Sequence, residues 1–319
     1  MSDTQTPTGW LTDVVDCWRQ LPNKGLFFAL LFAWLVVFQF FGNSLLGYIH
    51  SPSLFAWLYA AYNVGGSGSD DGHGNFVPFL VVGLFWWKRK ELLALPLQIW
   101  LGGLLILMVG MMLHVLGYAI QQPRLSIVAM FTGIYGLMGL AWGREWLRKS
   151  VFPFFLFVFC IPLGGQGAVV TFPLRLLVTW LVSGTAHLLG IDVLRVGTQL
   201  YDSSGTYQYE VAAACSGIRS LIAIFLLATI YGFMMFRSPW KRLLLMASAF
   251  PLAVLGNLAR MLFIIVAAEL GGQKAGNYIH ESSLFSLIPY LPAIVGLLVM
   301  GRLMEKWGNA GESVEPGHS

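Results

Sequence analysis

The sequence predicts an all-α polytopic membrane protein with about eight transmembrane helices, a short extracytoplasmic amphipathic helix and a β-hairpin. Of its 319 residues, 57% are hydrophobic and only 11% are charged. A soluble domain of this length carries about 25% charged residues, so most of this chain is expected in a lipid bilayer. The hydrophobic residues are also collected in separate runs with short polar segments between them. This composition excludes an ordinary soluble enzyme.

Eight apolar runs are the candidate membrane spans. A bilayer core requires about 20 apolar residues, so the second and fifth runs are short and must extend at their ends or be shielded by neighbouring helices. Together the runs predict a multi-pass domain over 26–301, between a cytoplasmic N-terminal segment, 1–25, and a cytoplasmic tail, 302–319. The runs are 26–41, 76–87, 92–116, 125–142, 151–163, 216–236, 243–268 and 284–300.

The basic residues predict the orientation of these spans. Lysine and arginine are enriched in cytoplasmic loops, and with the N-terminus inside, thirteen of the 19 lie in cytoplasmic segments. Four others fall outside, at Arg124, Arg175, Arg195 and Lys274. This excess predicts an even number of spans with both termini in the cytoplasm. The net charge of the chain is +4. Because the basic residues lie at the ends of apolar runs, they are interpreted as topology signals and not as a nucleic-acid binding surface.

Two shorter features are predicted between the fifth and sixth spans. Residues 174–189 contain Arg175 and His187, which is typical of an amphipathic helix at the outer membrane surface and not of a ninth span. Residues 191–209 hold β-branched and tyrosine residues around an Asp-Ser-Ser-Gly turn signal, which predicts a short hairpin. This hairpin leads directly into the segment that carries Cys215.

Cys215 lies in a sequence context that favours catalysis. Cys17, Cys160 and Cys215 are too few and too scattered for a disulfide framework or a thiolate metal site, so the sequence predicts no metal and no other cofactor. Cys215 belongs to the run EVAAACSGIR at 210–219, in which Arg219 follows by one helical turn. A neighbouring guanidinium and a helix N-terminus both stabilise the thiolate, which is the nucleophilic form of cysteine.

The predicted topology brings two further side chains to the level of Cys215. At a rise of 1.5 Å per residue, Cys215 lies about 33 Å from the cytoplasmic end of its span, and Arg260 lies about 27 Å up the next span. His280 falls in a predicted outer loop, 271–283, directly before the last span. All three residues are therefore expected near the outer face of the membrane.

These residue types match the chemistry of peptide-bond cleavage. Attack on a carbonyl requires a thiolate, a group that protonates the leaving amine and a donor for the developing oxyanion. We predict Cys215 as the nucleophile, His280 as the general acid and base, and Arg260 as the clamp for the oxyanion or a substrate carboxylate. Asn257, one turn earlier, is predicted to orient Arg260, since an arginine in an apolar span needs a partner. Without this context, Cys215 could equally be a small buried apolar residue, and His280 could equally be an ordinary surface residue.

Several motifs resemble those of the exosortase/archaeosortase family of membrane transpeptidases. The nucleophile motif, the following Asn-x-x-Arg element and the histidine occur in the order and spacing of that family, and the resemblance covers roughly residues 72–300. The matching segments are EVAAACSGIRSL at 210–221, PLAVLGNLAR at 251–260, His280, GHGNFVP at 72–78, WKRK at 87–90 and LGIDVLR at 189–195.

The resemblance implies a cysteine endopeptidase or transpeptidase of the bacterial inner membrane, with its active site on the extracytoplasmic face. The implied partners are membrane-anchored substrate proteins whose C-terminal sorting signal comprises a short motif such as Pro-Glu-Pro, a hydrophobic helix and a basic end. The catalytic Cys, Arg and His of the family correspond to Cys215, Arg260 and His280. Ser216, beside the thiol in the matched motif, is an expected supporting residue, as are Arg219 and the residue that orients Arg260.

A non-enzymatic function is the alternative. A membrane transporter or assembly factor for envelope polymers would use Arg219 and Arg260 as an anion path, but it predicts inverted repeats and helices broken at the midplane. Other proteolytic chemistries fit poorly. The chain has no convincing Gly-x-Ser-x-Gly element for a rhomboid-type serine protease, and His280 is followed by Glu281 but not by the second histidine of a zinc His-Glu-x-x-His motif.

Overall fold

The structure is a computed structural model that describes residues 10–45, 51–63, 71–164, 168–203, 205–210, 218–282, 285 and 290–312. The chain divides into two compact units, Met1–Val64 with Gly72–Pro162, and Gly65–Asp71 with Leu163–Ser319. We call them the first and second units. The helices are α1 Trp10–Gln20, α2 Lys24–Phe41, α3 Leu54–Asn63, α4 Val77–Trp87, α5 Arg89–Leu93, α6 Gly102–Ala119, α7 Pro123–Trp142, α8 Arg144–Phe155, α9 Ala168–Leu188, α10 Ile218–Met235, α11 Pro239–Glu281 and α12 Tyr290–Glu312, and the strands are β1 Val193–Val196, β2 Gln199–Asp202 and β3 Gln208–Glu210.

The predicted all-α polytopic membrane fold is confirmed. Among the described residues, α2, α6, α7 and α11 are long and apolar enough to cross a bilayer, as judged by length and composition. Helix α4 and the Ser220–Met235 part of α10 are apolar but shorter. The number of eight spans stays a prediction.

The first unit is built around close contact between α6 and α7. A Cβ atom added at Gly103 would lie 2.4 Å from the backbone nitrogen of Leu140, and one added at Gly110 would lie 2.9 Å from the nitrogen of Gly133. No side chain fits at such distances, so these glycines allow the two backbones to touch. Helices in membranes commonly associate through small residues in this way, because the hydrophobic effect does not drive apolar side chains together in lipid.

Two polar contacts join helices inside the first unit. The indole nitrogen of Trp34 in α2 donates a hydrogen bond to the carbonyl of Met130 in α7 at 3.0 Å. His114 in α6 and Ser126 in α7 are both buried, and the histidine Nδ1 lies 3.2 Å from the serine Oγ. These contacts satisfy groups that would be costly to leave unpaired in an apolar interior.

Two predicted spans of the first unit have other boundaries in the structure. The predicted span 92–116 is wrong at its start, because α6 begins only at Gly102; Pro96 has no N–H and disfavours a helical residue before it. The predicted run 151–163 also has other boundaries, since α8 begins at Arg144, continues through Pro153 and is followed by a 3₁₀ turn, Leu156–Cys160. Pro153 has no N–H for the carbonyl of Lys149, which instead accepts a hydrogen bond from Lys88 at 3.0 Å.

The second unit packs α9 and the sheet against α11. The helix predicted over 174–189 is present but longer, as α9. Its place at the outer membrane surface stays a prediction. Its buried residues Val178, Val182 and Ala186 recur every four positions and pack in one core with α11 residues such as Met261 and Ile265. This spacing places one apolar stripe of α9 on the core.

The sheet has three strands where a hairpin was predicted. β1 pairs antiparallel with β2, and β2 with β3, with Leu200 opposite Tyr209. The predicted Asp-Ser-Ser-Gly segment lies between β2 and β3. A second tight turn, which contains Gly197 at φ 62°, joins β1 to β2 and was not predicted from the sequence. The buried side chains Val193, Leu200 and Tyr209 fix the sheet to the core shared with α9 and α11.

The prediction that residues 271–283 form a loop is wrong as well, because α11 is helical from Gln273 to Glu281, after a break at Gly272. The outer side of this segment stays a prediction. Gly276 and Ile279 give this stretch an apolar side that packs into the second unit, with Gly276 buried. Helix α12 begins at Tyr290 and runs to Glu312, so residues 302–312 of the predicted tail belong to this helix. Residues 313–319 lie outside the described residues.

Candidate active site

A break in α11 brings Arg260 and His280 together. Gly272 adopts φ 70° and ψ −177° inside α11, a left-handed φ that favours glycine. Residues 260 and 280 would lie about 30 Å apart along a straight helix, yet Nη2 of Arg260 donates to the backbone carbonyl of His280 at 3.3 Å. The segment after Gly272 therefore folds back along the segment before it. We call residues 273–281 the returning segment.

Close packing supports this reversal of direction. A Cβ atom added at Gly276 would lie 3.0 Å from the Cβ of Ala268, and one added at Gly271 would lie 2.7 Å from the Cβ of Ala275. Ala268 is fully buried. Small residues at the bend thus let the returning segment approach the main part of α11.

The Arg260 guanidinium is only partly satisfied. The side chain is half-buried beside the buried residues Met261, Ile264 and Ile265. Its Nε is buried and, within the part of the chain that the structure describes, has no hydrogen-bond partner. A buried donor without an acceptor costs about 1–3 kcal/mol, and more for a charged group. Such a group is suited to bind an anionic or carbonyl oxygen.

Asn257 lies one helical turn before Arg260 and is 3% exposed. Its predicted role of orienting the guanidinium stays a prediction. The predicted nucleophile Cys215 and Ser216 lie outside the described residues. Arg219 falls in the first turn of α10, and the structure describes its backbone only. The arrangement of thiol, guanidinium and imidazole therefore remains a prediction for Cys215, while Arg260 and His280 are in contact.

The strand that precedes the nucleophile segment is tied to α11. β3 ends at Glu210, five residues before Cys215. The hydroxyl of Tyr207 donates to Oε2 of Glu269 at 3.2 Å, and the hydroxyl of Tyr209 donates to the backbone carbonyl of Gln273 at 3.2 Å. β3 is thus held against the bend that brings His280 to Arg260.

Sequence reasoning missed two features of the second unit. Arg175 was not singled out, yet its Nε in α9 is buried and has no hydrogen-bond partner among the described residues. An arginine in an otherwise apolar helix was the available signal. The contact of Glu269 with Tyr207 and those of Gln273 with β3 were also missed, although the Gly-Gly pair at 271–272 is a signal for a break in a helix.

The described residues also include no group of three or more His, Cys, Asp or Glu side chains that could hold a metal ion. Among the described residues, the guanidinium of Arg260 and the contact that it makes with His280 are the chemically distinctive features of the site.

Comparison with known proteins identifies one family. The family described as Transmembrane exosortase (Exosortase_EpsH) matches residues 57–288, more than two thirds of the chain. The matched range contains Cys215, Arg260 and His280. No curated protein and no solved structure matches the chain. Because the match extends from the first unit through the returning segment of α11, the chain belongs to the transmembrane exosortase family.

Proposed function

We propose that this multi-pass membrane protein is a cysteine endopeptidase or transpeptidase that cleaves the C-terminal sorting signals of envelope proteins. Membership of the exosortase family supports a role in the processing of sorting signals at a membrane. The observation that carries the proposal is the Arg260 guanidinium, which contacts the His280 carbonyl and has a buried Nε with no partner among the described residues. Such a donor is suited to a developing oxyanion.

In the proposed reaction, the Cys215 thiol transfers its proton to the His280 imidazole, and the thiolate attacks the scissile carbonyl. Arg260 stabilises the oxyanion of the tetrahedral intermediate. The intermediate then collapses to a thioester, and the imidazolium of His280 protonates the departing amine. Attack of water or an acceptor amine on the thioester, with loss of a proton to His280, releases the product and restores the thiolate.

The proposed substrate fits the proposed topology. A sorting signal with a hydrophobic helix and a basic end would insert with the basic end in the cytoplasm, as the positive-inside rule requires. The recognition motif before that helix would then lie at the outer face. We place Cys215, Arg260 and His280 at that face of the bacterial inner membrane, with both termini of the enzyme in the cytoplasm.

The experiment that tests this function compares cysteine variants during co-expression with a membrane-anchored substrate that carries such a signal. Cys215→Ala should insert in the membrane but abolish processing, because a methyl group cannot form a thioester. Cys17→Ala and Cys160→Ala are the controls and should process the substrate normally. The wild type, but not Cys215→Ala, should also yield a covalent adduct with the substrate under conditions that slow hydrolysis. Normal processing by Cys215→Ala would show that the thiol mechanism is wrong.

A further inference from the structure

The side chain of Gln273 pairs with the edge of β3 as a neighbouring strand would. Its Oε1 accepts a hydrogen bond from the backbone nitrogen of Gln208 at 2.8 Å, and its Nε2 donates to the backbone carbonyl of Gln208 at 3.2 Å. Both main-chain groups of one edge residue are thus paired with one amide, as in an antiparallel ladder. Nε2 also donates to Oδ1 of Asn277 at 3.0 Å, which fixes the orientation of the amide.

The residues on either side of Gln208 are anchored to the same bend. Tyr209 lies so close to Gly276 that a Cβ atom there would be 2.0 Å from the tyrosine oxygen. Tyr207 is 3% exposed, and burial together with the nearby Glu269 carboxylate raises its pKa, so its hydroxyl keeps the proton that it donates to Glu269. Three consecutive residues, Tyr207 and the first two residues of β3, therefore contact α11 around Gly272.

Gln273 contacts β3 and lies on the same helical segment as His280. The two residues are seven positions apart on the returning segment, which is about two helical turns or 10.5 Å along the axis, so they lie on one face. Counting forward from the end of β3, Cys215 follows after five residues and can lie at most about 18 Å from Glu210. The position of β3 on α11 thus limits where Cys215 can lie relative to His280.

We propose that Gln273 is a positioning residue that holds β3 in register on the helix segment bearing His280. The amide has no contact with the reacting groups in this proposal. It sets the starting point of the chain that leads to Cys215. The inference rests on the proposed function only in taking Cys215 as the nucleophile and His280 as its acid and base.

A kinetic experiment separates positioning from general support of the fold. Gln273→Ala removes both hydrogen bonds to Gln208, whereas Gln273→Glu keeps an acceptor for the Gln208 N–H. Lys274→Ala, at the adjacent exposed position, is the matched control. In the full chain, kcat for processing should fall about 10- to 100-fold in Gln273→Ala, with KM within about twofold of wild type, because reacting groups are misplaced while substrate binding is kept. Gln273→Glu should recover part of the loss, and Lys274→Ala should match wild type.

A second measurement does not depend on activity. Hydrogen exchange of the backbone amides of β3 should accelerate in Gln273→Ala and remain unchanged in Lys274→Ala. Unchanged kcat and unchanged exchange in Gln273→Ala would overturn the proposal. A loss of activity that appears as a higher KM, or that follows an equal loss of thermal stability, would also overturn it by assigning Gln273 a structural role. If Cys215→Ala processes substrate normally, the proposed function fails, while the exchange experiment still decides whether Gln273 holds β3.

Discussion

The two units of this protein use different means to hold their helices together. In the first unit, glycines let α6 and α7 touch along their backbones, and the pair of His114 and Ser126 is buried between them. In the second unit, α11 is broken at Gly272, and the two parts are joined through the guanidinium of Arg260. Close packing of small residues is suited to a rigid scaffold. A helix that reverses direction can place two polar residues, distant along the chain, side by side.

This difference predicts different consequences of substitution in the two units. Changes at the bend of α11 and at the groups beside it should impair the reaction while the protein still inserts and folds. Changes in the contact between α6 and α7 should impair folding, while each folded molecule retains its activity. The following variants test this division.

The largest effect is expected at Arg260. Arg260→Ala should lower the processing rate by about 10²–10³-fold, the usual result of removing one oxyanion donor. Arg260→Lys should lie between Arg260→Ala and wild type, because lysine keeps the positive charge but loses the planar fork of donors. The rate of substrate cleavage in proteoliposomes measures both variants, with Arg195→Ala on the exposed part of β1 as the control.

Arg219 sharpens this prediction. Its predicted role is to stabilise the Cys215 thiolate, so Arg219→Ala should mainly raise the pH at which alkylation of the thiol becomes fast. If Arg260→Ala keeps full activity while Arg219→Ala destroys it, the roles of the two arginines are the reverse of those proposed.

The next effect is expected at His280. His280→Ala should reduce turnover by about 10²-fold or more if the imidazole protonates the leaving amine. The backbone carbonyl that Arg260 contacts is kept in this variant, so loss of activity would report on the imidazole alone. His187, which lies 3.4 Å from Asp192 at the end of α9, is exposed, and His187→Ala is the control. A normal rate for His280→Ala across neutral pH would assign this residue to the support of Arg260.

The smallest effect on activity is expected in the first unit. Gly103→Ala forces a methyl group to within 2.4 Å of the nitrogen of Leu140, and overpacking of this kind costs about 1–3 kcal/mol. The thermal unfolding midpoint in detergent should fall, while the processing rate per folded molecule should equal that of wild type. Gly83→Ala is the matched control, since a Cβ at this position of α4 meets no atom within 4 Å. Equal stability of the two variants would contradict the close packing of α6 on α7.

The sequence by itself determined the membrane fold and the candidate catalytic residues. Hydrophobicity is a local property, so the runs that became α2, α7 and the main part of α11 could be identified without any knowledge of their partners. The motif around Cys215 and the arginine in an apolar span were also visible, since their residue types are unusual in a membrane. The family that these motifs predicted is the one that the chain matches.

Only the tertiary structure decided how the chain returns at Gly272 and what holds β3. The Gly-Gly pair signals a break in a helix, but the direction of the second part depends on the contacts of Gly276 with Ala268 and Tyr209. Tyr209 and Gln273 are 64 residues apart, and no local pattern records that they meet. The contact between Arg260 and His280 arises from the same reversal. Counting residues up the span placed Arg260 in its outer half, and the predicted loop placed His280 near the same level. Packing at the bend brought them within hydrogen-bond distance.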